Sequence, residues 1–309
     1  MKMEYNYKED YCPIPPSEQF ERTITAEKFH LVTKEKPKHL EGICFDRNGD
    51  MYFTSTYEGA VYFVDMKTGK QTLKWQDKDL KAASVKLHKD GRMFISCIGT
   101  EKKSGRIVVA RQDGTTEREI AAGMNIDDVV FDHEGGFYFT HFVGTVNNPI
   151  GGIYYVSPSL DEMKCVIPNL CGPNGVCLST DEKVMWITEF TAGRLLRVQM
   201  NNPGLASVVY QFTGYYGPDS CSIDEDDNVY VALFEQGRVM VFNKTGYPIG
   251  QILMPNRDIG HNLSSTHPMV RPDTKELYIT TADDVGDEGS WIMKAPAFGK
   301  GNKNAYQFL

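Results

Sequence analysis

Three carboxylates and one amide, Glu41, Asp127, Asp219 and Asn174, share a register in this chain. Each stands eight residues before one position of a recurring polar turn, held in turn by Gly49, Gly135, Asp227 and Glu182. Two more turns of the same kind add Ala83, eight before Gly91, and His267, eight before Lys275. Successive members of the set are 42, 44, 47, 45 and 48 residues apart. If a repeating fold brings these positions together, three acids converge and no Lys or Arg in the set neutralises them. Burying such a group unpaired is costly, and like charges repel, so a bound cation is the economical solution.

The donor types then narrow the ion. Glu41, Asp127, Asn174 and Asp219, helped by the hydroxyl of Ser220, offer oxygen, and only His267 offers nitrogen. Several carboxylates among oxygen donors suit one Ca²⁺, with Mg²⁺ or Mn²⁺ a poorer match. Zn²⁺ would call for His and Cys.

The elements that must position these residues are short strands. Helical periodicity is almost absent, and the turns "FDRNGDMYF", "LHKDGRMFI", "FDHEGGFYF", "LSTDEKVMWI", "IDEDDNVYV" and "RPDTKELYI" each join one apolar run to another. A third strand and often a fourth follow, as in "GAVYFVDMKTGKQTLKW". Four strands per period of ~45 residues is the signature of a β-propeller. The expected fold is therefore all-β, a six-bladed β-propeller whose last blade is closed by the N-terminal "RTITAEKFHLVT". Residues 1–22 would be an N-terminal extension and 23–309 a single domain. Closure also protects sheet edges from pairing with other chains.

In such a fold the first strand of each blade lines the channel and begins at one mouth. The second strand returns to that mouth, so the loop after it faces the site as well. Those loops carry Tyr57, His141, Phe142, Glu189, Phe190 and Phe234, and Tyr215 and Tyr216 arrive on the connection into the fifth blade. Aromatic walls around a few convergent polar groups describe a small-molecule pocket. Its expected lining is Tyr57, His141, Phe142, Glu189, Phe234 and His267.

Composition excludes several other roles. A net charge of −8 with scattered basic residues argues against nucleic acid as a partner. No apolar run approaches the ~20 residues of a membrane span, and the first residues lack a secretory pattern. Seven cysteines without a C-x-x-C pair read as reduced thiols of a cytoplasmic protein. Cys44, Cys177 and Cys221 alternate with apolar residues and read as core filler. G-x-S-x-G, H-E-x-x-H and G-x-x-x-x-G-K-[ST] are all missing from the sequence.

Glu41-Gly42, Asp127-Asp128, Asn174-Gly175 and Gly217-Pro218-Asp219-Ser220 resemble the metal-site motifs of the regucalcin/gluconolactonase family of six-bladed propellers. "GGFYFT", "GGIYYVSP", "LSTDEKVMWITE", "GRVMVFNKTGYPIGQIL" and "STHP" are similar to a lactonase of that family along most of the chain from about residue 24. The resemblance implies a calcium-dependent lactonase with Glu41, Asp127, Asn174, Asp219 and Ser220 as ligands. It also implies that Asp219 doubles as the catalytic proton-transfer group. Two departures stand out. His141 follows "YFT" where the relative has Asp, and the "EIAAGMN" segment has no carboxylate beyond Glu119, so a second, structural calcium is not expected. The alternatives are another Ca²⁺-dependent ester or phosphotriester hydrolase, or a non-catalytic calcium-binding propeller.

Overall fold

Apolar and β-branched residues alternate in short runs bounded by Gly, Asp and Asn, which leaves the chain little choice but strand and turn. The computed structural model describes residues 14–19, 21–35, 38–214, 216–284 and 286–302. Apart from the single-turn helices Pro16–Glu18 and Arg257–Ile259, the regular structure among these residues is strand. Two four-stranded antiparallel meanders run from Ile126–Phe131 to Met163–Leu170 and from Pro173–Leu178 to Ala206–Gln211. A third runs from Pro218–Ile223 to Pro248–Leu253 and gains Thr23–Thr25 as a parallel outer strand.

An eight-stranded sheet consists of two further meanders, Leu40–Phe45 to Gln71–Gln76 and Lys81–Leu87 to Thr116–Ile120. They are joined at one parallel contact, Gly42 with Ser84. Gly42 has φ +52°, and a Cβ there would lie 2.3 Å from Ser84 Cα, so only glycine permits this approach. The remaining sheet contains Ser264–Val270, Glu276–Ala282 and Ser290–Pro296, with the N-terminal strand Glu27–Thr33 antiparallel to the last of these.

The first strands neighbour one another in chain order, and Ser264–Val270 packs back against Leu40–Phe45. The arrangement is propeller-like, with those inner strands around the axis. The apolar core lies between adjacent meanders rather than in one central mass. Tyr52 and Val61 pack with Val85 and Ile95, Trp186 with Val231 and Phe242, and Phe45 and Phe53 with Tyr278 and Ile292. Burying each such side chain is worth roughly 1.5–3 kcal/mol. Turns at the far ends of the inner strands also link neighbours. The His133 amide donates to Glu182 Oε1 at 2.6 Å, and the Thr180 amide to Asp227 Oδ1 at 2.8 Å. These bonds explain why Glu182 and Asp227 hold left-handed turn positions, φ 56° and 60°, that glycine occupies elsewhere.

One register differs from the sequence expectation. Gly49, Gly135, Glu182 and Asp227 each lie four residues beyond Phe45, Phe131, Leu178 and Ile223, the last residues of their inner strands. Lys275 lies five beyond Val270, because the last sheet turns at Asp273 (φ 60°) and re-enters the ladder only at Leu277. Counting back from Lys275 therefore misses by one residue. Thr266, not His267, is the equivalent of Glu41, Asp127 and Asp219, and a one-residue slip sends a strand side chain the other way.

The described residues 14–19 are also built in. Glu18 is buried, and its Oε2 lies 2.6 Å from Arg238 Nη2, itself fully buried. The Tyr210 hydroxyl donates to Glu18 Oε1. Arg238 Nε donates to Gln251 Oε1 at 2.8 Å, and Gln251 Nε2 donates back to the Glu18 carbonyl at 3.2 Å. No helix among the described residues is long and apolar enough to cross a membrane.

Candidate active site

Glu41, Asp127, Asn174 and Asp219 are each the second residue of an inner strand, and all four line one cavity of about 280 Å³ that opens to solvent. Threonines on three of the four partner strands, Thr54, Thr140 and Thr188, brace the inner strands. Thr188 Oγ1 donates to the Asp219 carbonyl at 2.6 Å and accepts from the Gly175 amide at 2.7 Å. Thr54 Oγ1 donates to the Ala83 carbonyl at 3.2 Å, and Thr140 Oγ1 accepts from the Asp128 amide at 2.9 Å. Each sits where an inner strand breaks register with its partner; Thr140 and Thr188 take up the amides of Asp128 and Gly175 that the ladder leaves there, while Thr54 reaches across to the next meander.

The acids are buried, at 4–6% exposure, without enough partners to explain it. Asp127 Oδ1 has no hydrogen-bond partner among the described residues. Among the described residues Glu41 Oε2 accepts only its neighbour's amide, Gly42 N, at 3.2 Å, with His39 Nε2 at 3.8 Å from Oε1 and His267 Nδ1 at 4.0 Å from Oε2. Burial pushes the Glu41 carboxyl well above the usual range, and the charges of Asp219 and Asp127 push it further. Burial likewise raises Asp219, as does Asp127, while bonds from the Asn174 side chain and the Ser220 amide pull it part of the way back. Asp127 is pushed up to about 8 by burial and by the charge of Asp128. This cluster is short of positive charge.

An oxygen-binding cation fits that donor chemistry. The orphaned Asp127 oxygen, the Glu41 and Asp219 carboxylates and the Asn174 amide oxygen face one space, and Ser220 Oγ donates to Asn174 Oδ1 at 3.4 Å. Among the described residues no three His, Cys, Asp or Glu side chains form a ready metal-holding group. Binding would therefore need the neutral oxygens of Asn174 and Ser220 as well as the acids.

The sequence-predicted pocket residues divide. Tyr57, Phe142 and Phe234 line the cavity, and so does Phe190. His141, Glu189 and His267 are not among the lining residues. Glu189 is fully buried, accepting from Arg194 Nε at 2.6 Å and from the Cys171 amide at 2.7 Å, so its charge is committed to tying the loop at Cys171 to its neighbouring strand. His141 ends its strand with Nδ1 buried and its ring 6.0 Å from Tyr154. His267 Nε2 is 3.3 Å from Lys86 Nζ, and burial followed by that ammonium lowers the imidazole pKa well below its usual value. Tyr215 lies outside the described residues.

The sequence reading missed the lining residues Thr56 and Ile98, and three residues with chemistry to offer escaped it as well. His39 and Lys81 line the cavity, each two places before a counted position, Glu41 and Ala83. Lys81 opens its strand, and the period of two puts it on the face of Ala83, which is the signal that would have found it; His39 lies just before its strand. The third is Lys86, a buried cation inside the channel, 3.2 Å from Asp128 Oδ1. His39 links two parts of the wall, with ring centroids 5.6 Å from both Tyr57 and Phe234. Phe234 lies 6.1 Å from Phe190, and Phe190 6.0 Å from Phe142. One aromatic arc thus runs from Tyr57 to Phe142 around the acidic floor.

Comparison with known proteins agrees with this architecture. Residues 40–283 match the family described as SMP-30/Gluconolactonase/LRE-like region. The chain is 46% identical over 307 residues to lactonase drp35 of Staphylococcus saprophyticus, covering 96% of this chain and 94% of that protein. Lactonase drp35 of Staphylococcus aureus strain MRSA252 is 45% identical over 302 residues, covering 94% and 93%. Among solved structures, regucalcin of Agrobacterium tumefaciens, described as a calcium-binding protein, superposes with TM-score 0.70 at 15% identity, covering 91% of this chain and 98% of that one. With its inner-strand acids and its repeating meanders, this chain belongs to the SMP-30/gluconolactonase/LRE-like family.

Proposed function

We propose that the protein is a calcium-dependent lactonase that opens a small lactone by hydrolysis in the cavity floored by Glu41, Asp127 and Asp219. The observation that carries the reading is that floor: buried acids from three separate strands, one with an orphaned oxygen, facing a solvent-open cavity. Lactonase relatives at about 45% identity over nearly the whole chain support the reaction class. On the same reading, the two meanders of the eight-stranded sheet count as two blades. The chain is then a six-bladed propeller closed by Glu27–Thr33, with residues 23–309 as one domain working in the cytoplasm.

Glu41, Asp127, Asn174, Asp219 and Ser220 would hold the ion. When bound, Ca²⁺ supplies Lewis-acid polarisation of the lactone carbonyl and offsets negative charge developing on its oxygen. Asp219 takes a proton from the water whose oxygen adds to the acyl carbon. It returns that proton to the ring oxygen as the acyl C–O bond breaks, so lactone and water become one hydroxy acid. The arc from Tyr57 to Phe142 orients the ring and keeps bulk water from its apolar face.

A lactone panel assayed with purified protein, with and without a calcium chelator, tests the proposal. Hydrolysis lost on chelation and restored by Ca²⁺ is expected. Turnover indifferent to the chelator would overturn the metal role. Calcium-loaded protein inert towards every lactone would make it a binding protein instead.

A further inference from the structure

Lys81 is the one Lys or Arg among the described residues lining the cavity, and no carboxylate within ion-pair distance holds it. Its ammonium rests 5.2 Å from the centroid of the Tyr57 ring, at one end of the aromatic arc. Tyr57 is 70% exposed, so the contact lies at the open mouth. A cation–π contact at an exposed site is weak, roughly 0.5–1 kcal/mol, and gives way readily to a carboxylate. Other lysines nearby are already committed: Lys38 to Glu58 at 2.7 Å, Lys103 to Asp77 at 2.8 Å and Lys86 to Asp128. Lys81 differs from them in having its charge unspent beside a cavity whose floor is acidic.

That asymmetry has a chemical meaning. A neutral lactone would find its carbonyl partner on the floor and its apolar contacts on the aromatic arc, and would leave Lys81 idle. A lactone carrying an anion would fill both ends. We propose that Lys81 is a specificity residue that selects lactones bearing a carboxylate substituent, binding that group at the Tyr57 end of the cavity. This rests on the lactonase reading above. The four-carbon stem lets the ammonium follow substrates of different size as a mobile point charge, where Arg would impose a planar fork.

The test compares a γ-butyrolactone carrying a carboxylate on the ring carbon next to the ring oxygen with the matching neutral carboxamide. Wild-type protein is expected to prefer the carboxylate in kcat/KM. In Lys81→Met that preference should fall by about 10- to 100-fold, mostly through KM, the scale of one lost charge partner in a partly desolvated site. Lys81→Arg should keep most of it. A preference unchanged in Lys81→Met, an equal loss on both substrates, or a wild-type preference for the carboxamide would overturn the proposal. If wild type opens neither ring, the lactonase reading fails, and calorimetry with the ring-opened hydroxy-dicarboxylate decides the anion site alone. Dissociation constants at least ten times weaker in Lys81→Met support it, and equal constants or no binding by wild type reject it.

Discussion

Lys86 holds its ammonium nitrogen 3.2 Å from Asp128 Oδ1 and 3.3 Å from His267 Nε2, deep in the channel. Three different inner strands supply these groups, so the cluster ties the eight-stranded sheet, the meander of residues 126–170 and the last sheet together at the axis. Asp128 is fully buried and also accepts from the Val129 amide at 2.9 Å.

Removing the cation alone should therefore be expensive. Lys86→Met leaves the Asp128 charge buried without its partner, a loss of about 3–5 kcal/mol. Adding Asp128→Asn removes the stranded charge and should recover most of that loss. Urea unfolding of the calcium-saturated variants measures both. A single variant within about 1 kcal/mol of the parent would show that water already solvates the site.

Glu18 and Arg238 form the second committed pair, 2.6 Å apart and both nearly inaccessible. Glu18→Ala should cost about 3–5 kcal/mol for the same reason. A chain started at Glu21 should lose about as much, although it keeps every strand among the described residues. If the shortened chain melted at the parent temperature, the segment before Arg22 would be mere decoration.

The strands and five of the six counted positions, Ala83 included, were legible because turn chemistry recurs. A polar turn with one left-handed residue fixes the phase of the strand before it, and side-chain direction follows from a period of two. Glu41, Asp127, Asn174 and Asp219 fell into one cavity on that argument alone. The same argument failed at His267, where the turn through Asp273 carries its left-handed residue one place early. Lys86 was illegible for a different reason. In "SVKLHKDG" it reads as an ordinary solvent-facing lysine, and only Asp128 from another sheet makes its burial tolerable. Long-range compensation of that kind leaves no local trace. Glu189 erred the other way, since nothing near it in sequence except Arg194 announces that its charge is already used.

The raised carboxyl groups make stability depend on pH and metal together. In the unfolded chain Asp127 titrates near its ordinary value of 3.8, and in the fold it is pushed up to about 8. Between those values the metal-free fold holds a proton that the unfolded chain has released, so its stability falls as pH rises across the window. Glu41 and Asp219, raised in the same direction, add to the slope. A bound divalent cation favours the charged forms and opposes the trend. Metal-stripped protein should therefore melt lower at about pH 8 than at about pH 5.5, while the rise in Tm on adding Ca²⁺ grows over that range. A calcium-induced rise that is equal at both pH values would mean that these acids are not the ligands.

Asp219 is asked to do two things, and one substitution separates them. Asp219→Asn keeps an oxygen donor beside Asn174 and Ser220 but removes the group that titrates. It also removes one of the mutually repelling charges that raise Glu41, so the remaining acids ionise more easily. The two effects on metal affinity oppose one another, and the net fall should be modest. Turnover should fall far more, by roughly 10²–10⁴-fold, the usual worth of a positioned general acid or base. Elemental analysis of the same sample must accompany the rate, because an empty site would mimic a dead catalyst. A calcium-loaded Asp219→Asn protein that opens lactones at near the parent rate would reject the proton relay. It would leave Asp219 as a ligand only, with His39, 3.8 Å from Glu41 at the same cavity wall, as the next group to test.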